Sequence, residues 1–158
     1  MILAQEIYTY KIDMWSVGCI FAELLSMIKA NYSHFTERKP LFPGKTCRLL
    51  SPTFADQDED LKEFSQKDNR NDQLGVIFEI IGTPSSEEDL KFIKSAEAKK
   101  YLKCFKPCEK IDFKELYPAT DPRGLQILAK MLEFNPTKRI SAEEAMMDEY
   151  FDEVRIDS

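Results

Sequence analysis

The stretch of sequence that decides the fold is IDMWSVGCIFAELL, at residues 12–25. Its apolar residues cover nearly every face of the helix that the pattern predicts over residues 12–28. We therefore expect that helix to be central and buried rather than peripheral. Asp13 is the exception, because a carboxylate among apolar neighbours costs several kcal/mol unless hydrogen-bond donors reach it. The neighbouring sequence offers no obvious donor.

The composition is that of an ordinary globular protein. The chain has 158 residues, enough for one modest domain with a hydrophobic core, and 43% of them are hydrophobic against 32% charged. The net charge of -6 disfavours a nucleic-acid partner. Residues 14–28 form the most apolar run, but Ser16, Glu23 and Ser26 interrupt it, so we expect no membrane span.

The termini and the cysteines indicate an intracellular protein without a metal centre. No basic segment with a small-residue cleavage site opens the chain, so secretion is not indicated and a cytoplasmic or nuclear location is expected. The four cysteines include no Cys-x-x-Cys pair, and His34 is the only histidine. We therefore expect reduced thiols and no zinc or histidine-based metal site at Cys19, Cys47, Cys104 or Cys108.

Two stretches after the first predicted helix lack helical periodicity. Residues 29–47 contain the turn-rich KPLFPG at 39–44. Residues 51–71 are polar and acidic at first, and we interpret them as a surface insertion.

Five further helices are predicted downstream. Residues 72–81 form the first of them, and Gly82 is placed to end it in a left-handed conformation. Ser86 starts the next helix, with Ser85 as the alternative starting residue.

A short helix follows at about residues 95–103, and two amphipathic helices end the chain. Asp121 followed by Pro122 marks the start of one, and Ser141 with Glu144 forms a capping box that opens the last. Together these patterns predict a mainly α fold of about six helices with little or no strand.

Four blocks of this chain, taken in order, resemble the eukaryotic protein kinase domain. They are DMWSVGCI at residues 13–20, LFPG at 41–44, DQL with IIGTP within 72–84, and KMLEFNPTKRISA at 130–142. The last two match the branch that holds the cyclin-dependent and mitogen-activated kinases. EEDL at residues 87–90, followed by AKKYL at 98–102, resembles the helical insert of mitogen-activated protein kinases.

The resemblance implies the helical C-terminal half of the large lobe of the kinase fold. Residues 1–151 would be a partial kinase domain, with the polar insertion at about 46–70 and the family insert at about 84–118. Residues 152–158 would be a truncated acidic tail. The full-length parent would transfer the γ-phosphate of ATP to Ser or Thr of protein substrates, use ATP and magnesium, and be activated by an upstream kinase.

The resemblance also gives roles to single residues. In the family, the residue matching Asp13 accepts hydrogen bonds from backbone amides of the catalytic loop. Trp15 would pack beneath the substrate-binding segment, and Gly18 belongs to the same motif. The arginine matching Arg139 forms a buried ion pair with the glutamate of an Ala-Pro-Glu motif, which would fall just before Met1.

A docking pocket for aromatic peptides is a further implication. The matching positions here are Ile2, Leu3, Leu74 and Tyr101. Two other positions of that pocket fall near Arg70 and Asn71, where this sequence is polar. For Leu74 and Tyr101, an ordinary place in the core or at its edge is the alternative interpretation.

The motifs that carry kinase chemistry do not occur in this sequence. That chemistry needs a Gly-rich loop over the phosphates, a strand lysine, a His-Arg-Asp catalytic loop and an Asp-Phe-Gly motif for magnesium. The chain contains no G-x-G-x-x-G, His-Arg-Asp or Asp-Phe-Gly sequence. We therefore expect no catalytic, ATP-binding or metal-binding residue in this chain, and no cofactor bound by it alone.

Two hypotheses account for these observations. The first is a fragment of a mitogen-activated-type kinase, whose partners include the missing small lobe and catalytic loop. The second is a standalone, non-catalytic, kinase-derived scaffold that binds partners. Retention of Asp13 and Arg139 favours the fragment, because both residues are costly without partners.

Overall fold

The computed structural model describes residues 10–46 and 72–155. Outside those ranges lie nearly all of the predicted insertion at 46–70, the last three residues of the tail, and the positions Ile2, Leu3, Cys47, Arg70 and Asn71. The chain divides into two compact units. The described part of the first unit is residues 42–46 and 72–111, and that of the second is residues 10–41 and 112–155.

The described ranges contain seven α-helices and two 3₁₀ helices. The α-helices are α1 (Lys11–Ser26), α2 (Gln73–Ile81), α3 (Glu87–Leu90), α4 (Ala96–Leu102), α5 (Phe113–Leu116), α6 (Pro122–Met131) and α7 (Ala142–Met146). The 3₁₀ helices are Phe35–Glu37 and Glu149–Phe151. The β interaction found in these ranges is an isolated bridge between Thr46 and Asp72, so the predicted mainly α fold is confirmed.

The first unit is organised around α2. Asp72 caps the helix by accepting a hydrogen bond from the Leu74 amide at 2.9 Å. Gly82 ends it with a φ of 84° and a ψ of 154°. The positive φ agrees with the prediction and favours glycine, but the ψ lies outside the left-handed helical region that was expected. A Cβ at residue 82 would lie 3.1 Å from the backbone nitrogen of Lys110, so the close approach of that segment also requires glycine.

Two short helices complete the first unit. Ser86 caps α3 by accepting from the Asp89 amide at 3.0 Å, which selects this starting residue over Ser85. The helix ends at Leu90, because the amides of the next turn bond three residues back (Ile93 to the Leu90 carbonyl at 3.0 Å). The following helix, α4, matches the short helix predicted at about 95–103.

The second unit packs α1 against α6 and the C-terminal elements. One cluster of its buried core contains Met14, Ile127, Met131, Ile140 and Ala145, with Phe21, Tyr150 and Phe151 packed against it. The predicted caps are present: Asp121 precedes Pro122 at the start of α6, and Ser141 forms a reciprocal capping box with Glu144 at the start of α7.

α1 differs from its prediction in length and in burial. It ends at Ser26, because the amides of Met27 and Ile28 bond three residues back and tighten the chain into a turn. Burial on nearly every face is not found, since Ile20 and Leu24 are 61% and 54% exposed. The described chain covers one side of α1 only, and that side contains Met14, Gly18, Ala22 and Leu25.

α5 was not predicted. It has four residues, capped by Asp112, and is too short to show a helical period in the sequence. None of the described helices has the length and apolar character needed to cross a membrane.

Candidate functional site

The described candidate residues fall into two groups. Asp13, Trp15, Gly18 and Arg139 lie in the second unit, and Leu74 and Tyr101 lie in the first.

Arg139 is a buried cation held by backbone carbonyls. The residue is 6% exposed. Its Nε donates to the Glu133 carbonyl at 2.8 Å, its Nη1 to the Lys11 carbonyl at 2.6 Å, and its Nη2 to the Phe134 carbonyl at 3.2 Å. Lys11 completes a reciprocal contact, because its Nζ donates to the Arg139 carbonyl at 2.7 Å. The start of α1 is thereby fastened to the segment before α7.

The electrostatics of Arg139 reflect this burial. Desolvation lowers the pKa of Arg139 to about 10, against the opposing attraction of Glu133. The guanidinium carbon lies 5.1 Å from the centroid of the Trp15 ring, within the range of a cation–π contact. It forms no ion pair with a carboxylate among the residues that the structure describes. Neutral dipoles and an aromatic face therefore hold this charge.

The neighbouring thiol is kept in its neutral form. Burial raises the pKa of the Cys19 thiol, and the nearby charge of Glu23 adds to that effect. A thiol of this kind is a poor nucleophile at neutral pH. Cys19 is therefore part of the packing of α1 rather than a reactive group.

Asp13 is exposed on α1, so the predicted burial of its side chain is wrong for this chain. No residue in the described ranges donates a hydrogen bond to its carboxylate. Because the carboxylate is exposed to water, it does not need the protein donors that burial would require.

Gly18 lies where α1 comes closest to the end of α6. A Cβ at this position would lie 2.9 Å from Leu132 Cδ2 and 2.9 Å from Met131 Cβ, closer than side chains normally pack. The glycine is thus required by helix–helix contact, a reason that its place in the motif does not reveal.

A row of exposed apolar residues lies along one side of α1 and includes the residues that flank the helix. We name this row the apolar stripe. Its members are Tyr10, Val17, Ile20, Leu24 and Met27, with exposures between 44% and 63%. Their spacing of three, four or seven residues puts them on one side of a helix. Asp13 has the same spacing from Tyr10 and Val17, so the exposed carboxylate lies within the apolar stripe.

In the first unit, Leu74 and Tyr101 are linked through Asp72. The Asp72 carboxylate accepts from the Leu74 amide with one oxygen and from the Tyr101 hydroxyl with the other, at 2.9 and 3.1 Å. Leu74 and Tyr101 are 3% and 0% exposed. The Tyr101 ring also lies 5.1 Å from that of Phe105.

Sequence reasoning missed the role of Asn31. Its Nδ2 donates to the Leu25 carbonyl at 2.8 Å and to Thr120 Oγ1 at 2.9 Å, and its Oδ1 accepts from the Ala119 amide at 2.7 Å. These bonds join the end of α1 to the loop before α6. In the sequence, a polar residue just beyond a helix is only a weak sign of such a role. Two of its partners, Ala119 and Thr120, are far away in the chain, and the third is a backbone carbonyl of α1.

No group of three or more His, Cys, Asp or Glu side chains in the described ranges is placed to hold a metal ion. The motif residues of α1 lie on two different sides of the helix. Trp15 and Gly18 face Arg139 and α6, and Asp13 faces outward.

The family model described as "Protein kinase domain" matches residues 1–151. This chain belongs to the protein kinase family. Within it, the chain is similar to mitogen-activated protein kinases, and its helical structure is that of a kinase large-lobe segment.

Three relatives illustrate the extent of the kinase match. Mitogen-activated protein kinase spk1 of Schizosaccharomyces pombe is 36% identical over 150 residues, covering 95% of this chain and 31% of the relative. Mitogen-activated protein kinase mpkB of Aspergillus fumigatus is 36% identical over 152 residues, covering 96% and 33%. Mitogen-activated protein kinase 15 of Oryza sativa is 37% identical over 144 residues, covering 91% and 22%. The chain spans a third or less of the length of these relatives.

Proposed function

We propose that this chain is the C-terminal part of the large lobe of a mitogen-activated-type serine/threonine protein kinase. The full-length parent transfers the γ-phosphate of ATP to Ser or Thr of protein substrates in intracellular signalling. The 158-residue chain alone does not catalyse the transfer, because its sequence has no Gly-rich loop, His-Arg-Asp or Asp-Phe-Gly motif.

The observation that carries this proposal is the apolar stripe with Asp13 inside it. Contiguous exposed apolar side chains mark a surface that another protein segment covers. If a segment covers such a surface, a carboxylate on that surface is stabilised only when the segment also supplies hydrogen-bond donors. The family resemblance supplies both, because backbone amides of the kinase catalytic loop bond to the residue matching Asp13.

Arg139 supports the same proposal. Removing one partner of a buried ion pair typically costs ~3–5 kcal/mol. Among the described residues, carbonyl oxygens accept the hydrogen bonds of the guanidinium, and the Trp15 ring lies against it. The family places a glutamate next to this arginine, in a motif that this sequence does not contain.

The remaining features of the parent follow from the family. We propose ATP and magnesium as its cofactors, protein substrates and an upstream kinase as its partners, and the cytoplasm or nucleus as its location. Neither a nucleic acid nor a membrane is proposed. The docking pocket at Ile2, Leu3, Leu74 and Tyr101 stays a proposal. Burial of the two described members and the bond from Tyr101 to Asp72 favour the core interpretation of those two residues.

Two measurements test the proposal. The purified 158-residue chain, given magnesium, ATP and a basic protein substrate, should transfer no more phosphate than a mock preparation, and clear transfer would overturn the inactivity. The coding sequence upstream of Met1 should continue in frame through Ala-Pro-Glu, preceded by Asp-Phe-Gly and His-Arg-Asp. Stop codons and a promoter at that place would contradict the fragment.

A standalone scaffold is the second candidate. It is favoured by the hydrogen bonding of Arg139, because three of its donor groups and the ammonium of Lys11 are satisfied within the chain. Asp13 is exposed and therefore hydrated in this chain, so it counts against neither candidate. The upstream coding sequence separates the two candidates directly.

A further inference from the structure

The stretch from residue 91 to residue 106 has a charge opposite to that of the rest of the chain. It holds six of the 22 cationic residues and one of the 28 acidic residues of a chain whose net charge is -6. All six cations are lysines, and the acid is Glu97. The stretch begins at the end of α3, includes all of α4 and lies within the first unit.

The fold leaves five of these six lysines exposed and one, Lys99, half-buried. The inward side of α4 is apolar and buried (Ala98, Tyr101 and Leu102). Helical geometry therefore places Lys100 and Lys103 on the opposite side and Lys99 at its edge. Lys94 and Lys106, on either side of α4 in the chain, are also exposed. We name Lys94, Lys99, Lys100, Lys103 and Lys106 the basic surface.

Stabilisation of the α4 dipole explains only some of the lysines in the basic surface. Lysines in the last turn and at the C-cap of α4 stabilise its carbonyl end, which accounts for Lys99, Lys100 and Lys103. Lys94 directly precedes the N-cap Ser95, where the helix dipole disfavours a cation. Lys106 lies beyond the end of the helix. Stabilisation of α4 therefore explains the presence of neither Lys94 nor Lys106.

The basic surface has a rigid base. Tyr101, on the inward side of α4, donates its hydroxyl hydrogen bond to Asp72 at 3.1 Å. Its ring lies 5.1 Å from that of Phe105, which in turn lies 5.4 Å from that of Phe78. These contacts fix α4 against α2, so the lysine backbones are already ordered before a partner binds, which reduces the entropic cost of association.

The side-chain chemistry selects among anionic partners. The chain has no arginine between Arg70 and Arg123, so the basic surface lacks the planar fork that binds phosphate in a bidentate manner. In the described ranges, no large exposed hydrophobic residue lies between Phe35 and Met146, so nothing here would insert into a lipid layer. Flexible lysines suit irregularly spaced carboxylates.

We propose that the basic surface is a docking site for an acidic, Asp- and Glu-rich segment of a partner protein. The complementarity of charge identifies this occupant. The proposal goes beyond the kinase function and does not depend on it, because the surface is present whether the chain is a fragment or a scaffold. Failure of the binding test therefore leaves the test of the kinase proposal unaffected.

Fluorescence anisotropy with the 158-residue chain tests this docking. The probe is a labelled acidic peptide of about a dozen residues, and its Asn/Gln counterpart is the neutral control. The acidic peptide should bind and the neutral one should not. Raising the salt from about 50 to about 300 mM should weaken binding several-fold, since exposed charges are screened. Equal binding of both peptides, or no binding at the lower salt, would overturn the proposal.

A matched pair of variants locates the site. Lys94→Gln/Lys103→Gln/Lys106→Gln should reduce affinity about tenfold, from the loss of three exposed charge contacts. Lys29→Gln/Lys39→Gln/Lys45→Gln makes the same charge change at exposed lysines elsewhere and should reduce affinity less than about twofold. All six positions are exposed, so both variants should keep the helical circular dichroism of the parent chain. An equal loss of affinity in both variants would show that the acidic peptide does not bind at the basic surface.

Two further outcomes would replace the proposed partner. Tighter binding to RNA or to anionic vesicles than to the acidic peptide would show a different class of ligand. The sequence also contains an acidic run at Asp56, Asp58, Glu59 and Asp60. If Asp56→Asn/Asp58→Asn/Asp60→Asn increased the affinity for the peptide about tenfold, the chain's own acidic run would be the occupant instead of a partner.

Discussion

Arg139 shows how a single residue is held when its nearest partners carry no charge. Hydrogen bonds from a charged donor contribute about 1.5–3 kcal/mol each, and three carbonyls accept from this guanidinium. Burial still dominates, because the pKa of Arg139 falls to about 10 rather than rising. A base with a lowered folded-state pKa opposes folding at every pH below that value, so the charge of Arg139 costs stability throughout the neutral range.

Truncation of Arg139 should nonetheless destabilise the second unit. Arg139→Met leaves three carbonyls without their donor, and we expect the free energy of unfolding to fall by about 2–4 kcal/mol. Arg139→Lys keeps the charge but reaches fewer carbonyls, so about half of that loss is expected. Urea titration followed by the fluorescence of Trp15, which lies against this guanidinium, measures both.

Arg155→Met is the matched control for Arg139. Arg155 donates to the carbonyls of Met146 and Asp148 and pairs with Asp152, but it lies at the surface. Its loss should cost less than about 1 kcal/mol because solvent screens the interaction. If both variants lost the same free energy of unfolding, burial of the Arg139 guanidinium would not explain its contribution to stability.

At the scale of elements, the contact of α1 with α6 depends on the absence of a side chain at residue 18. Gly18→Val brings methyl groups into the space of Leu132 and Met131. We expect a loss of about 2–3 kcal/mol in the free energy of unfolding, measured by the same urea titration. Ser16→Val, at an exposed position of the same helix, introduces the same β-branched side chain without the clash and should cost less than about 0.7 kcal/mol. If the two variants lost equal stability, close packing would not be the reason for the glycine.

The connection between α6 and the last 3₁₀ helix should be sensitive to acid. The hydrogen bond from the Lys130 ammonium, at 2.6 Å, lowers the pKa of Asp148, and the Tyr150 amide adds to this. A carboxyl with a lowered folded-state pKa contributes stability above its unfolded pKa of about 4 and loses it as the pH falls through the folded value. Stability should therefore decline below about pH 4.

Asp148→Asn isolates that contribution. The amide keeps a side-chain oxygen for the Tyr150 amide but loses the charge, so the variant should be less stable at neutral pH and show a flatter decline below about pH 4. Lys130→Met should flatten the profile in the same way, and the double variant should add nothing further. The measurement is the urea midpoint between about pH 2 and pH 7. Additive effects of the two substitutions would show that the pair is not coupled.

Local chemistry determined which elements the sequence could predict. The caps at Asp121, Ser141 and Gly82 were predictable because each involves residues within a few positions of one another. The four-residue α5 was not, because so short a helix has no period to detect. Gly18 was predictable as a motif member but not as a packing requirement, which depends on Leu132 from the far part of the chain.

At the scale of the whole molecule, the exposure of α1 decides how the chain behaves in solution. The sequence predicted burial on nearly every side, and the side that stays exposed is the one that no described segment covers. The prediction of burial on nearly every side is therefore wrong for the described chain. Under the fragment proposal, the rest of the kinase would cover the exposed side of α1. We expect the isolated chain to associate through this side as its concentration rises, and a chain that stays monomeric in light scattering at high concentration would contradict this.

Substitution of the apolar stripe should have opposite effects in the isolated chain and in the full-length parent. Val17→Gln/Ile20→Gln/Leu24→Gln removes exposed apolar surface, so the isolated chain should shift toward monomer in light scattering after size-exclusion chromatography. In the parent the same side chains would be covered, and three buried amides without partners should cost more than about 3 kcal/mol and abolish soluble expression.

The control carries the same chemistry at another exposed place in the second unit. Met146→Gln/Met147→Gln/Val154→Gln replaces side chains that are 63%, 71% and 73% exposed, but none of them belongs to the apolar stripe. This variant should leave soluble expression of the parent unchanged, because nothing in the fragment proposal covers those residues. A stripe variant that improves both the isolated chain and the parent would show that the apolar stripe stays exposed in the parent, and the chain would then be better explained as a standalone scaffold.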